Sequence, residues 1–224
     1  LMYQISASIL AADFANLAQD VNAAVSAGVD TIHFDVMDMH YVPNLTVGPM
    51  VCQSLRQAGV TAPIDVHLMV SDPRSLIAPF AEAGADMLSF HPETVDDVEA
   101  VVAQVREAGL KVGLVFNPDQ AVSVSDALLS QLDMLLLMTV YPGFGGQSFI
   151  SDVLEKVSLT RARLEQQQSA AILAVDGGVK AENIAAVASA GANYFVVGSG
   201  LFSATDYEGR VQQLRRELSK VAVE

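Results

Sequence analysis

The dipeptide Ala-Gly recurs along this 224-residue chain, at Ala27-Gly28, Ala58-Gly59, Ala83-Gly84, Ala108-Gly109 and Ala190-Gly191. The first four follow helix-like segments, and the first, third, fourth and fifth precede strand-like runs. Glycine there suits the left-handed residue that ends an α-helix. The chain therefore repeats a helix–glycine–strand unit, and alternating strands and helices imply a parallel sheet.

Strand candidates cover residues 4–10, 31–36, 64–69, 87–90, 112–116, 134–138, 171–175 and 194–197. Asp13 is placed to cap a first helix with Phe14, Leu17, Val21 and Ala24 on one face. Further helices are expected over residues 49–57, 73–83, 95–107, 124–131, 151–168, 181–189 and 206–221. Eight strand–helix units in a chain of this length fit a compact (β/α)8 TIM barrel, an α/β fold. A doubly wound open sheet would more often carry a Gly-rich phosphate turn after its first strand. Here that strand runs into Ala11-Ala12-Asp13 instead. No Pro/Gly/Ser-rich linker or charge block divides the chain, so a single domain over residues 1–224 is expected.

Composition narrows the partners. The chain is 51% hydrophobic and 17% charged, which predicts a sizeable core rather than disorder. Its net charge of −14 argues against nucleic acid. A phosphorylated small molecule stays open, because backbone N–H groups hold phosphate without side-chain charge. The single cysteine, Cys52, leaves no internal disulfide and fits a reducing compartment. No apolar run reaches the roughly 18 residues of a membrane span. The N-terminal stretch lacks the regions of a signal peptide, so a cytoplasmic protein is expected.

The stretch over residues 31–44, TIHFDVMDMHYVPN, carries the first chemistry. Alternate side chains of a strand share a face, so His33, Asp35 and Met37 point one way. Burying a charge is costly unless it is paired or ligates a metal. By itself this stretch is equally a hydrogen-bonded His–Asp pair in a polar pocket. Barrels of this kind place their active sites at the C-terminal strand ends. Ser8, His33, Asp35, His67 and Asp176 all fall there, from strands one, two, three and seven. Two imidazoles and two carboxylates on one rim make a plausible site for one divalent ion, and suit Zn²⁺, Fe²⁺, Mn²⁺ or Co²⁺.

Other polar residues are less committed. His91 ends strand four and either touches the site, supports it or is structural. Asp65 would lie a layer below His67, hydrogen-bonded inside the barrel. Asp38 and His40 fall in a loop, where exposure is the ordinary expectation. Three Gly-rich stretches follow strands six, seven and eight: Gly143, Gly145 and Gly146, then Gly177-Gly178, then Gly198-Ser199-Gly200. Loops after strands seven and eight are a usual phosphate site in this fold, and glycine permits the close backbone approach. Met37 and Met69 stand two residues beyond Asp35 and His67 on the same faces, an apolar collar above the ion.

Two carboxylates on well-separated strands can flank a flat substrate, one taking a proton from carbon and the other returning one from the opposite side. That inverts a stereocentre next to a carbonyl. The residues alone point to a metal-dependent epimerase or isomerase of a phosphorylated ketose, and leave an aldolase or decarboxylase open.

Ser8-Ile9-Leu10-Ala11-Ala12-Asp13-Phe14, His33-Phe34-Asp35-Val36-Met37-Asp38, Val42-Pro43-Asn44, Asp65-Val66-His67-Leu68-Met69-Val70, His91-Pro92-Glu93, Pro142-Gly143-Phe144-Gly145-Gly146-Gln147, Val175-Asp176-Gly177-Gly178 and Val197-Gly198-Ser199 together carry a specific resemblance. Nearly end to end, the chain resembles the ribulose-phosphate 3-epimerase family. The resemblance implies a barrel of the ribulose-phosphate-binding type that interconverts D-ribulose 5-phosphate and D-xylulose 5-phosphate in the pentose phosphate pathway. It implies His33, Asp35, His67 and Asp176 as metal ligands, and Asp35 with Asp176 as the acid/base pair at C3. Ser8 and His67 would contact substrate, and Met37, Met69 and Met138 would cap the site. The phosphate would meet amides at Gly143, Phe144, Gly145, Gly146, Gly177, Gly178, Gly198 and Ser199. A homo-oligomer is implied as well.

Three positions depart from the family pattern: Ala7 where Pro is frequent, Met39 where Gly or Asn is common, and Tyr141 where Asn is frequent. None removes a ligand or an acid/base. Allulose-6-phosphate 3-epimerase, with the same chemistry on a longer sugar, is the nearest alternative. A decarboxylase of the same superfamily would carry a Lys near the paired acids, and none stands beside His67. A phosphosugar-binding barrel without catalysis is disfavoured by the intact Asp35–Asp176 pair.

Overall fold

The computed structural model describes residues 2–221; Leu1 and residues 222–224 of the expected 1–224 domain lie outside the described residues. Eight strands run in chain order: β1 Gln4–Ser8, β2 Thr31–Met37, β3 Ile64–Met69, β4 Met87–Phe90, β5 Lys111–Phe116, β6 Met134–Met138, β7 Ile172–Asp176 and β8 Tyr194–Val197. Each pairs in parallel with its neighbour, and β1 pairs with β8, which closes the barrel. The helices are α1 Leu17–Ser26, α2 Pro49–Gln57, α3 Arg74–Glu82, α4 Val98–Glu107, α5 Asp126–Leu129, α6 Val153–Gln166, α7 Ile184–Ser189, α8 Ser199–Phe202 and α9 Tyr207–Val221.

The Ala-Gly repeat does what its residues dictate. Ala27, Ala58, Ala83, Ala108 and Ala190 cap the C-termini of α1, α2, α3, α4 and α7. Each following glycine takes a positive φ, from 80° at Gly109 to 113° at Gly191. That backbone conformation penalises a Cβ and lets the chain turn back into the next strand.

Several boundaries differ from the sequence pattern. β1 stops at Ser8, and residues Ile9–Ala11 and Phe14–Asn16 form 3-10 turns. Asp13 does cap, accepting from Ala15 N at 2.9 Å, but it caps the second of these turns. Phe14 is consequently 48% exposed rather than on a buried helix face. The fourth and fifth helices shorten to Val98–Glu107 and Asp126–Leu129, while β7 runs one residue further, to Asp176.

Alternation splits each strand between two environments. Ile32, Phe34 and Val36 of β2, and their counterparts on other strands, face outward into a continuous core shared with the helices. The inward side chains are divided by sector. From β1 to β4 they include Ser6, Ser8, Thr31, His33, Asp35, Asp65, His67 and Ser89, all buried. From β5 to β8 they are mainly Val115, Met134, Leu136, Met138, Ala174 and Val196, a separate apolar cluster. Register aligns the layers. His33 pairs with Asp65, Asp35 with His67 and Met37 with Met69 across β2 and β3. Ser8 pairs with His33, and Met138 with Asp176.

Candidate metal centre and substrate cavity

The inward phase of β2 and β3, with Asp176 ending β7, brings four side chains to one point. One ligand atom from each of His33, Asp35, His67 and Asp176 lies within 4.8 Å of the others. His33 Nε2 stands 3.4 Å from Asp35 Oδ1 and 3.5 Å from Asp176 Oδ2. His67 Nδ1 stands 3.5 and 3.6 Å from the same two oxygens. Four donors at about 2.1 Å from a shared centre would be separated by about 3.4 Å in a tetrahedral arrangement. The two ring nitrogens are buried and have no hydrogen-bond partner. Buried polar atoms are normally satisfied. A cation among two lone pairs and two carboxylate oxygens answers that need, so the donor set fits a divalent metal.

The electrostatics agree. Burial alone would discharge the His33 ring, but Asp35, Asp65 and Asp176 outweigh it and raise its pKa well above 6.5. Burial opposes the charge on His67 too, and Asp176 and Asp35 raise its pKa. Burial pushes the Asp35 carboxyl up, yet the two imidazoles hold it far below the usual carboxylate range. The pocket demands positive charge at its centre.

The ligand candidates are held from outside by different groups. Ser8 Oγ donates to Asp35 Oδ2 at 2.6 Å, which leaves Oδ1 for the cluster. His33 Nδ1 contacts Asp65 Oδ2 at 2.8 Å, and Tyr194 OH donates to that same oxygen at 3.1 Å. Tyr194 OH also bonds Ser6 Oγ and Thr31 Oγ1, closing a polar layer beneath the centre. His67 Nε2 lies 2.9 Å from His91 Nε2. Burial lowers the pKa of His91 to about 4, so that ring is neutral. Thr139, buried on the segment after β6, donates N–H and hydroxyl to the Asp176 carbonyl and fixes the end of β7.

A cavity opens above this layer. Its wall contains Ser8, Asp35 and Asp176, the methionines Met37, Met69 and Met138, and Gly143, Phe144, Gly145, Gly146, Gly177, Gly178, Gly198 and Ser199. His33 and His67 are fully buried and lie behind this wall rather than in it. The structure thus brings the expected acid/base pair, the methionine collar and the glycine loops to one surface. Two glycines are required by shape. A Cβ on Gly177, at φ +124°, would fall 2.5 Å from Val140 Cγ2, and one on Gly178 would fall 2.7 Å from Phe149 N. The backbone after β7 is pressed against the loop after β6.

Two residues prove more important than their sequence context suggests. Asp38, expected in an exposed loop, accepts from the backbone of His40, Tyr41 and Ser71 and from Ser71 Oγ. Despite burial, those bonds lower its pKa strongly and tie the loop after β2 to the end of β3. Thr139 gave no signal, being one hydroxyl at the end of an apolar run. Met39 takes φ +63°, which explains why Gly or Asn suits that position.

The sequence profile of the Ribulose-phosphate 3 epimerase family matches residues 4–202. The ribulose-phosphate 3-epimerase of Escherichia coli (strain K12) is 50% identical over 222 residues, covering 99% of this chain and 99% of that protein. The ribulose-phosphate 3-epimerase of Serratia marcescens is 51% identical over 205 residues, 92% of this chain and 98% of the relative. Among solved structures, a 3-hexulose-6-phosphate synthase superposes with a TM-score of 0.68 at 18% identity, covering 96% of this chain and 99% of that one. KGPDC from Streptococcus mutans gives 0.67 at 14% identity, over 99% of both chains. At such identities the structural neighbours establish the barrel alone.

Proposed function

The chain belongs to the ribulose-phosphate 3-epimerase family, and on that premise we propose how its residues invert C3 of a pentulose phosphate. The enzyme is an isomerase that interconverts D-ribulose 5-phosphate and D-xylulose 5-phosphate. The observation that carries the mechanism is the convergence of Asp35 and Asp176, from β2 and β7, on one cluster at the floor of one cavity. The hexulose 6-phosphate alternative is not favoured by the relatives described above, which are ribulose-phosphate 3-epimerases.

The C3 hydrogen is acidic because C2 is a carbonyl. One aspartate, as carboxylate, removes that proton and leaves a planar enediolate. The other, as carboxylic acid, delivers a proton to the opposite face. Reversal of the two roles runs the reaction backwards. Ser8 orients Asp35 through its Oγ–Oδ2 bond. Met37, Met69 and Met138 exclude water around the intermediate. The amides and small residues at Gly143, Phe144, Gly145, Gly146, Gly177, Gly178, Gly198 and Ser199 receive the phosphate, and that remote binding energy orients C3 between the carboxylates. His33, Asp35, His67 and Asp176 would hold a divalent ion, which supplies electrophilic stabilisation of the negative charge that develops on the substrate oxygens. The donor set suits Zn²⁺, Fe²⁺, Mn²⁺ and Co²⁺. Family membership supports a homo-oligomer working in the cytoplasm; among the described residues no helix is long and apolar enough to cross a membrane.

The test is to incubate metal-loaded protein with D-ribulose 5-phosphate in deuterated water. Xylulose 5-phosphate labelled at C3 is expected, and chelation should abolish its formation until a divalent ion is restored. Epimerisation without solvent label at C3, or full activity in verified metal-free protein, would refute the mechanism.

A further inference from the structure

His91 is wholly buried just past the end of β4 and has no part in the proton transfers above. Its Nε2 lies 2.9 Å from Nε2 of His67, and the two rings stack with centroids 5.1 Å apart at 29°. Two imidazole nitrogens at that separation share one hydrogen, since paired lone pairs or paired N–H groups would repel. On its other edge His67 turns Nδ1 toward Asp35 and Asp176, without a hydrogen-bond partner. A ligating nitrogen keeps its lone pair, so the hydrogen of His67 belongs on Nε2. His91 must then accept through Nε2 and carry its own hydrogen on Nδ1. That atom faces Glu93 Oε1 at 3.5 Å. The same oxygen accepts from Tyr41 OH at 2.6 Å and from Asn117 Nδ2 at 3.1 Å, which fixes it beside His91 Nδ1, although that nitrogen makes no hydrogen bond in this geometry.

We propose that His91 is a positioning residue: it holds His67 as the Nε2–H tautomer and so presents Nδ1 to the metal. This rests on the reading of His67 as a ligand. It also sets the two histidines apart. His33 is backed by the carboxylate of Asp65, whereas His67 is backed by a second imidazole. Partners of this kind orient metal-bound imidazoles, and losing one typically weakens metal binding by about 10–100-fold.

Two measurements test the assignment. In long-range ¹H–¹⁵N spectra of the zinc-loaded protein, His91 should be the Nδ1–H tautomer with an unprotonated, hydrogen-bonded Nε2. By chelator competition, His91→Phe should bind zinc about 10–100-fold more weakly. His91→Gln, whose side-chain carbonyl can accept near the same place, should recover most of that loss. A His91 protonated at Nε2, or His91→Phe binding zinc at wild-type strength, overturns the proposal. Should His91→Phe fail to fold, the wild-type spectrum decides alone. Wild-type protein that binds no zinc would instead remove the ligand assignment of His67, and this inference with it.

Discussion

The two sectors of the barrel interior are built on opposite terms. Strands β1 to β4 turn hydroxyls, imidazoles and carboxylates inward, where they bond one another, Tyr194 of β8 or His91. Strands β5 to β8 turn in Val115, Met134, Leu136, Met138, Ala174 and Val196, which need only fit. The contrast extends to the rim. The polar sector contributes side chains to the site, whereas the apolar sector contributes mostly backbone, through glycine loops after β6, β7 and β8. Asp176 and Tyr194 join them: a carboxylate from β7 aimed at the polar cluster and a hydroxyl from β8 bonded within the polar layer. A reaction centre needs geometry held by directional bonds, and a phosphate needs many amides within reach.

Exchanging Asp35→Asn or Asp176→Asn should give the largest effect. Each should lower the rate of epimerisation by about 10³-fold, within the range of general acid–base catalysis, while circular dichroism shows the fold retained. Equal losses from the two would make Asp176 functionally part of the polar sector; a near-normal rate in either removes its proton-transfer role. Leu136→Ala, in the apolar sector, should cost about 3 kcal/mol in urea unfolding and leave zinc affinity unchanged. A drop in metal affinity would show that apolar packing also sets the ligand geometry.

Gly198→Val probes the backbone side of the rim. Its Cβ would lie 3.6 Å from the Ala11 and Ser8 Cβ atoms, in ordinary contact, and its two methyl groups would extend beyond that point. KM for the phosphorylated sugar should rise about tenfold, about 1.4 kcal/mol, with kcat less affected. An unchanged KM would take that loop out of phosphate binding. Met39→Gly should have the smallest effect, raising stability by about 1 kcal/mol through relief of the left-handed residue. Loss of stability there would mean that the exposed Met39 side chain contributes packing the geometry does not suggest.

Legibility follows the range of the forces involved. Phe14 shares helical spacing with Leu17, Val21 and Ala24, but spacing cannot reveal that Asp13 and Asn16 close a tight 3-10 turn first. His91 and Asp65 were visible as polar residues on strands, but their roles depend on neighbours 24 and 32 residues away. Asp38 looked like a solvated loop acid because its main partner, Ser71, arrives from another strand end.

From its sequence alone this chain specified eight strand–helix units, which strand ends are polar, and the residue types of a metal-dependent epimerase. Those properties are local: alternation sets the face of each strand, and the glycine after each helix sets the turn. The tertiary structure decided which nitrogen of each histidine meets the cluster, what backs it, and that Asp35 and Asp176 share one centre. Those facts are set by the register between strands and by closure of the barrel, where hydrogen bonds form between residues far apart in the chain.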